Sequence, residues 1–596
     1  MALVIAVVLH AAWITPSFAQ VVRDVKIVAR SGDEAPGLVG SVLENVQDPV
    51  ISSDGFVAFA AQTTIGSSVV TTGIWRFDGT SLELVAYEGQ QAPGLPATTI
   101  FGGLGVLDMR IANQGAISFQ ADLLGPSDSG RSLWKYSGGD LSGVLREGQE
   151  AGFIGFGHPN IIDQLFITTR TGWAMSRDGF ISTRLSFSCP TCDPGVDPTE
   201  ASGVASLVAT PVSKTTVLRT GDANKSRAVV DINSPVYIAD GGFSVFSFVV
   251  RDIEKTPQTV VGYAYGIPGV LYDRLCTFGE PPRPAVGANP GDFICSVTGL
   301  DNRIMPNNSA QIFFRAFVCF EYPSQSAAFN VGFWRTASDP QQDKVLIAHE
   351  GMVIPTLTST GVGTLGDIDM ATVRMNDDGK VAFVAKGAFG EIIGIYITDD
   401  IDQLVPVANT GSDATGLPSG YRFSLFLSQH LNSDGQLAFL AEATHPSELP
   451  VKGVWVADHS GELTLVLSTL DEFDFEPNPA VVDLRTIWDI HLNPGQGATQ
   501  GMTSLSDTGK IVVALVGPDP VLGVYTAVGI LDSVICATST RACAPDINGD
   551  GFVDVFDFVD FGNLFSSGSP EADFNCDGVV DLADFLAFLN AFDAGC

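Results

Sequence analysis

The densest chemistry in this 596-residue chain lies near its C-terminal end. Asp546, Asn548, Asp550, Asp554 and Asp557 fall at positions 1, 3, 5, 9 and 12 of one loop, with Gly551 at position 6. Twenty-seven residues on, Asp573, Asn575, Asp577, Asp581 and Asp584 repeat those positions, with Gly578 at the sixth. Phe552 and Val579, at position 7, offer backbone carbonyls. Oxygen donors at this spacing, with a glycine for the sharp turn, make an EF-hand-type calcium loop. Converging carboxylates repel one another until a cation neutralises them. Residues 543–596 contain no Lys or Arg, so the cation must come from solution. The reading is two Ca2+ ions. An acidic, merely solvated surface is the bland alternative, and two loops matching in register argue against it.

Each loop runs into an amphipathic helix. Val555, Phe558, Val559 and Phe565 form one apolar stripe; Leu582, Phe585, Leu586, Leu589 and Phe592 form the other. Two loop–helix units of this size, closing on Gly595-Cys596, resemble a dockerin of the Gly-Cys type, a terminal anchor on exported bacterial proteins. The resemblance implies calcium-dependent attachment to a cohesin-like or other surface protein, often in polysaccharide breakdown. It also implies that Cys543 and Cys596 lie together and are bridged, with Cys536–Cys576 as a second pair. Asp at position 12 follows dockerins. Many cellulosomal dockerins carry a Ser/Thr-type pair at positions 10 and 11, where this chain has Val555-Phe556 and Leu582-Ala583. That departure points to a more apolar partner surface.

The rest of the chain is built on a different unit. Asn376-Asp-Asp-Gly-Lys-Val-Ala-Phe-Val-Ala385 joins a polar turn to an apolar strand. Gly takes positive φ in the turn. Val381 and Phe383 then face one side, and Ala382 and Val384 the other. The pattern recurs from Ser52, Ala112 and Asn432, and more weakly from Ser176, Ala239, Asn307 and Ser506. Eight copies at a spacing of about 60 residues are the mark of a repeat architecture. A Gly-Ile-Trp-like strand follows each signature, as at Gly73–Trp75, Ser132–Trp134, Gly332–Trp334 and Gly453–Trp455, and a fourth strand ends in a turn. Four short strands per unit predict a β-propeller blade. Val25–Gly32 reads as a fourth strand with no first three, so it completes the last blade. The fold expectation is a mainly β chain: an eight-bladed β-propeller, seven being the fallback, then a small α-helical calcium module. An open stack of β units is the rival. The units resemble the exported tandem-repeat proteins named for an Asn-x-x-Gly-x-x-Ala-Phe-x-Ala motif with a choice of anchors. That resemblance implies a surface or secreted location and supplies no activity.

Ala2–Ala19 is apolar and ends in Ser17-Phe18-Ala19, small residues at −3 and −1 of a cleavage site. The expected layout is signal peptide 1–19, repeat domain 20–532, linker 533–545 and dockerin-like domain 546–596. The product is expected outside a bacterial cell or on its surface, with no transmembrane segment after cleavage. A net charge of −36 with 31 Lys and Arg excludes a nucleic-acid-binding face. Nine cysteines suit export and disulfides. Cys189 and Cys192 are expected to form a local bridge, and one pair is expected among Cys276, Cys295 and Cys319. The propeller shows no catalytic motif, and its histidines are scattered. Asp54, Asp377 and Asp434 read as turn residues; Trp75, Trp134, Trp334 and Trp455 read as blade core rather than sugar-stacking platforms. The functional expectation is a non-enzymatic binding or display protein. The alternative is an extracellular polysaccharide hydrolase or lyase with its site in the propeller channel.

Overall fold

The computed structural model describes residues between 22 and 594, leaving out, with some shorter stretches, 155–159, 166–172, 191–201, 253–258, 267–272, 278–284, 287–292, 297–303, 320–328, 337–343, 476–482, 494–502, 533–544, 549–552, 568–571 and 575–581. The expected signal segment 1–19 lies outside the described residues.

Local order starts in the signature turn. The Asn376 side-chain oxygen accepts the Lys380 N–H at 2.9 Å, and Gly379 sits at φ 84°. The same side-chain clamp closes the turns at Ser52–Phe56, Ser176–Phe180, Asn307–Gln311, Asn432–Gln436 and Ser506–Lys510. A short polar side chain replaces a backbone partner in such a turn. The strand after it is buried on both faces. Val381 and Phe383 pack with Phe313, Phe333 and Trp334 of the preceding unit. Ala382 and Val384 pack with Phe439 and Trp455 of the following one.

Each unit forms one sheet, antiparallel apart from the short parallel pair of Ala285–Val286 with Lys344–His349, and the described residues contain eight such sheets of four or more strands. We number them as blades in chain order from Val42. Blade 1 holds Val42–Ile51, Val57–Ile65, Ser68–Phe77 and Leu82–Tyr87. Blade 7 holds Arg422–Leu431, Leu437–Thr444, Val451–Ala457 and Leu463–Ser468. Blade 8 takes Asp489–His491, Lys510–Asp519 and Gly523–Asp532 from the end of the repeat region. Its fourth strand is Lys26–Arg30, paired antiparallel with Gly523–Asp532 in the register Lys26↔Ile530 and Arg30↔Ala527. Successive blades touch through their inner strands, and blade 8 touches blade 1. The chain is therefore a closed eight-bladed propeller, with Lys26–Arg30 covering the edge that Gly523–Asp532 would otherwise present. Blades 3 to 5 are the least regular, with added two- to five-residue strands such as Ile304–Pro306.

The core lies between blades, in layers, as face-to-face sheet packing requires. Trp75, Trp134, Trp334 and Trp455 are all buried, which bears out their reading as core. The indole N–H groups of two of them also hold the chain together. Trp75 Nε1–H donates to Pro36 O at 3.1 Å, and Trp455 Nε1–H to Thr415 O at 2.8 Å. Tyr396 and Tyr525, at the equivalent place, donate to Pro355 O and Thr486 O. Each ring thus pins the connection entering its own blade.

Two helices, Val555–Ser567 and Leu582–Ala594, follow in the C-terminal part. Phe561 and Phe588 stack at their centre, with centroids 4.0 Å apart and planes 6° from parallel.

Candidate functional site

The first strand of each blade runs toward its signature turn, so all eight turns gather at one end of the ring. They are hydrogen-bonded in a circle. The Asp507 N–H donates to Ser53 O at 3.1 Å, Ser53 Oγ–H to Asn113 Oδ1 at 2.8 Å, and the Asn113 N–H to Arg177 O at 2.9 Å. The Asp178 N–H donates to Asp240 Oδ1, the Asp240 N–H to Asn308 Oδ1, and the Asn308 N–H to Asp377 Oδ1. Asn376 Nδ2–H reaches Ser433 O, and the Ser433 N–H returns to Asp507 Oδ1. Asp377 therefore links blades as well as shaping its own turn. Asp54 does the same through the Gln114 N–H.

Arg177 crosses this circle. Its guanidinium pairs with Asp240, Asp377 and Asp507, and Nη1–H also donates to Ser433 Oγ at 3.0 Å. One side chain of blade 3 so ties blades 4, 6, 7 and 8. Burial works against its charge, but Asp377, Asp240 and Asp507 outweigh it and hold the guanidinium above its usual range. Asp240 is pushed up by burial, which the attraction of Arg177 only partly offsets. Asp434, beside Asp507 and Asp378, is raised by burial and by those charges. A cluster of carboxylates at one end of the channel is a feature that favours an enzyme when the acids are unpaired. Here Asp240, Asp377 and Asp507 are already paired with Arg177.

The opposite end carries the connections between blades. A cleft of about 780 Å3 opens there between blades 2 and 3, lined by Asp122, Arg131, Glu147, Asp163, Gln164 and Ser186 among others. Glu147 serves the fold: its carboxylate accepts the N–H groups of Arg131 and Leu165, as Glu88 accepts that of Leu104 one blade earlier. Asp163 accepts Ser188 Oγ–H at 2.6 Å. Asp122 and Arg131 face each other across neighbouring strands.

Of the twelve predicted calcium ligands, Asn548, Asp554, Asp557 and Asp584 are described. Asp546, Asp550, Phe552, Asp573, Asn575, Asp577, Val579 and Asp581 lie outside the described residues. Asp554 caps the first helix, its Oδ1 accepting the Phe556 N–H at 2.8 Å. Asp557, one turn into that helix, points back into the loop. Its two oxygens accept the N–H groups of Asn548 at 3.1 Å and Asp554 at 2.9 Å. Burial opposes its charge, but the backbone N–H groups of Asp554, Asn548 and Ile547 hold its carboxyl below the ordinary range. Asp557 and Asp584, at the same loop position of the two units, are both fully buried. Two buried carboxylates in a segment without Lys, Arg or His fit a hard cation bound by oxygen. Among the described residues alone, no three His, Cys, Asp or Glu side chains gather as a metal site.

The helix faces differ from the expected stripes. Phe561 and Phe588 are the buried residues, with Leu564, Phe565, Phe585 and Phe592 packed around them. Val555, Val559, Leu582 and Leu586 are exposed instead. Both helices are apolar on adjacent faces, so spacing alone did not tell the inner face from the outer.

Cys189 is disulfide-bonded and buried; Cys192, Cys536, Cys543, Cys576 and Cys596 lie outside the described residues. Cys276, Cys295 and Cys319 fall on strands, and their side chains are likewise outside the described ones. His430 is a core residue. Its Nε2–H donates to Asn493 O at 2.8 Å, and burial pulls its pKa down to about 3. Arg177 was not anticipated. The signal available was its place in the eight-turn register, where the other copies carry Ser, Asn or Asp.

A family model described as a family of unknown function, DUF7453, matches residues 9–387 and 307–525. The chain belongs to this family. No curated protein matches it. Among solved structures, an α-L-arabinanase of Penicillium chrysogenum is similar at 10% identity and TM-score 0.22, over 64% of this chain and 99% of that one. The β-propeller domain of the Trilobed protease from Pyrococcus furiosus is similar at 10% identity and TM-score 0.29, over 71% and 98%. The polysaccharide lyase Uly1 is similar at 10% identity and TM-score 0.29, over 88% and 94%. At these scores no activity is read from them.

Proposed function

We propose that the protein is an exported, surface-attached propeller carried by a dockerin-like calcium module. Calcium held by the two loops, through Asp546, Asn548, Asp550, Phe552, Asp554 and Asp557 and their equivalents from Asp573 to Asp584, sets the two helices in place. The observation that carries this reading is the pairing of buried and exposed positions in the two units. Asp557 and Asp584 are buried, while Val555 and Val559 on one helix and Leu582 and Leu586 on the other stand 52–68% exposed at matching places. Apolar residues kept in water at matching places of a duplicated unit suit a protein partner. The partner is a cohesin-like or other surface protein, and the propeller is what it displays. The test is capture of the full chain by its source cell envelope with calcium and with chelator. A Val559→Asp/Leu586→Asp variant is expected to stay in solution in both. Retention that ignores chelator and variant contradicts the reading.

A second reading is an extracellular polysaccharide hydrolase or lyase. The cleft between blades 2 and 3 favours it, because Asp122 and Asp163 face one recess with Arg131. Release of reducing or unsaturated ends from soluble polysaccharides, lost in Asp122→Asn and Asp163→Asn, is its test.

A further inference from the structure

Five of the tryptophans described here, Trp75, Trp134, Trp173, Trp334 and Trp455, are at most 2% exposed; Trp488 is 58% exposed. A protein that buries its other described indoles gains nothing in stability from leaving one in water. Trp488 lies at the start of the inner strand of blade 8, held by its N–H to Val516 O at 2.8 Å. That is the end of the ring away from the turns closed by Arg177. A fixed polar group adjoins it. Asp489 accepts Lys452 Nζ–H at 2.6 Å from blade 7 and stands 3.3 Å from His491 Nε2. The second Lys452 contact, its backbone N–H to Thr469 Oγ1 at 3.2 Å, fixes the base of that side chain. The His491 side chain is 56% exposed.

We propose that Trp488, Asp489, His491 and Lys452 form a saccharide-binding subsite at this end of the propeller. This rests on the reading that the propeller engages polysaccharide. A sugar ring offers a face of C–H groups and a rim of hydroxyls. The indole face takes the first, since aromatic rings carry a negative face and a large apolar area. Asp489 accepts from hydroxyls, while Lys452 and His491 donate to them. The acid and the amine neutralise each other, so the subsite suits an uncharged polysaccharide. A protein partner is less well served. Leu484 and Val524, 43% and 47% exposed, are the other exposed large apolar residues of this blade end, too little for a protein interface core.

The experiment is affinity gel electrophoresis of the full chain through dextran, xylan, galactan and, as the charged comparison, polygalacturonate. Tryptophan emission on titration is read in parallel. At least one neutral polymer is expected to retard the protein and shift its emission to the blue. Trp488→Ala should weaken that retardation about tenfold, Trp488→Phe less, and Asp489→Asn and His491→Gln several-fold, with unchanged melting. Retardation that Trp488→Ala leaves intact overturns this subsite and spares the broader reading. Retardation by polygalacturonate alone overturns the assignment to neutral saccharide. No retardation by any polymer overturns both, and leaves Trp488 to a protein contact.

Discussion

At the propeller axis, carboxylates from three blades, Asp240, Asp377 and Asp507, face one guanidinium. In the C-terminal module two loops concentrate ten acidic or amide side chains with no basic residue among them. Both are clusters of turn aspartates. The difference is where the positive charge comes from. The propeller encodes it, at one position of one repeat. In the proposed reading the module takes it from solution. On that reading the first is assembled whenever the chain folds, while the second follows the calcium around it, as the proposed attachment device needs and a scaffold does not.

The comparison is broken most severely by opening the ring. Deleting Val22–Arg30 removes the fourth strand of blade 8 and re-exposes a sheet edge. The melting transition of the whole propeller is expected to fall by more than 10 °C, or the protein to aggregate. An open stack would lose its terminal unit alone and keep the main transition.

Removing the encoded charge comes next. Arg177→Met leaves three carboxylates facing one another. The expected loss is about 2 kcal/mol, below the roughly 3–5 of a fully buried pair because the Arg177 side chain is 27% exposed. The loss should shrink in high salt, and Asp377→Asn in the same chain should recover part of it. Chemical denaturation of the single and double variants measures both.

Acid sharpens the comparison from another side. His430 is held neutral, its pKa lowered by burial to about 3 from 6.5. Its contribution is complete above pH 6.5. Below that the unfolded chain binds a proton that the folded chain refuses, so propeller stability falls by about 1.4 kcal/mol per pH unit. Asp557 is lowered from 3.8, so its contribution is present above that pH and lost as pH falls through the folded value. Between pH 6.5 and 4.5, in saturating calcium, the propeller should weaken while the helices persist. Thermal melts across that window, repeated with His430→Gln to flatten the slope, decide it. The smallest effect belongs to the aromatic pins. Trp455→Phe removes one donor to Thr415 O and should cost about 1 kcal/mol in urea titration.

The ring itself was legible in the chain. Eight spaced turns gave the blade number, and a lone fourth strand at Val25–Gly32 gave the closure. Both are local patterns that can be read along the chain. Arg177 was not legible in that way. Its partners are 63, 200 and 330 residues away, and nothing local states that eight turns meet at one axis. Trp488 escaped for a related reason: exposure belongs to the assembled blade, not to the residue. The helices failed differently. Val555 and Phe561 both belong to apolar stripes, and only the partner helix chooses between them.

The central claim is that calcium orders the module and leaves the propeller unchanged. Binding the folded state alone adds about 2.7 kcal/mol at a hundredfold excess over the dissociation constant. Hydrogen exchange of the full chain, with calcium and with chelator, reads both regions in one sample. Peptides covering Val555–Ser567 and Leu582–Ala594 should be protected in calcium and exchange freely in chelator, while those around Ser176–Gly179 and Asn376–Gly379 do not change. Asp557→Asn with Asp584→Asn should remove the calcium-dependent protection. Full protection of both helices in chelator, or deprotection of the axial turns along with them, would contradict the account.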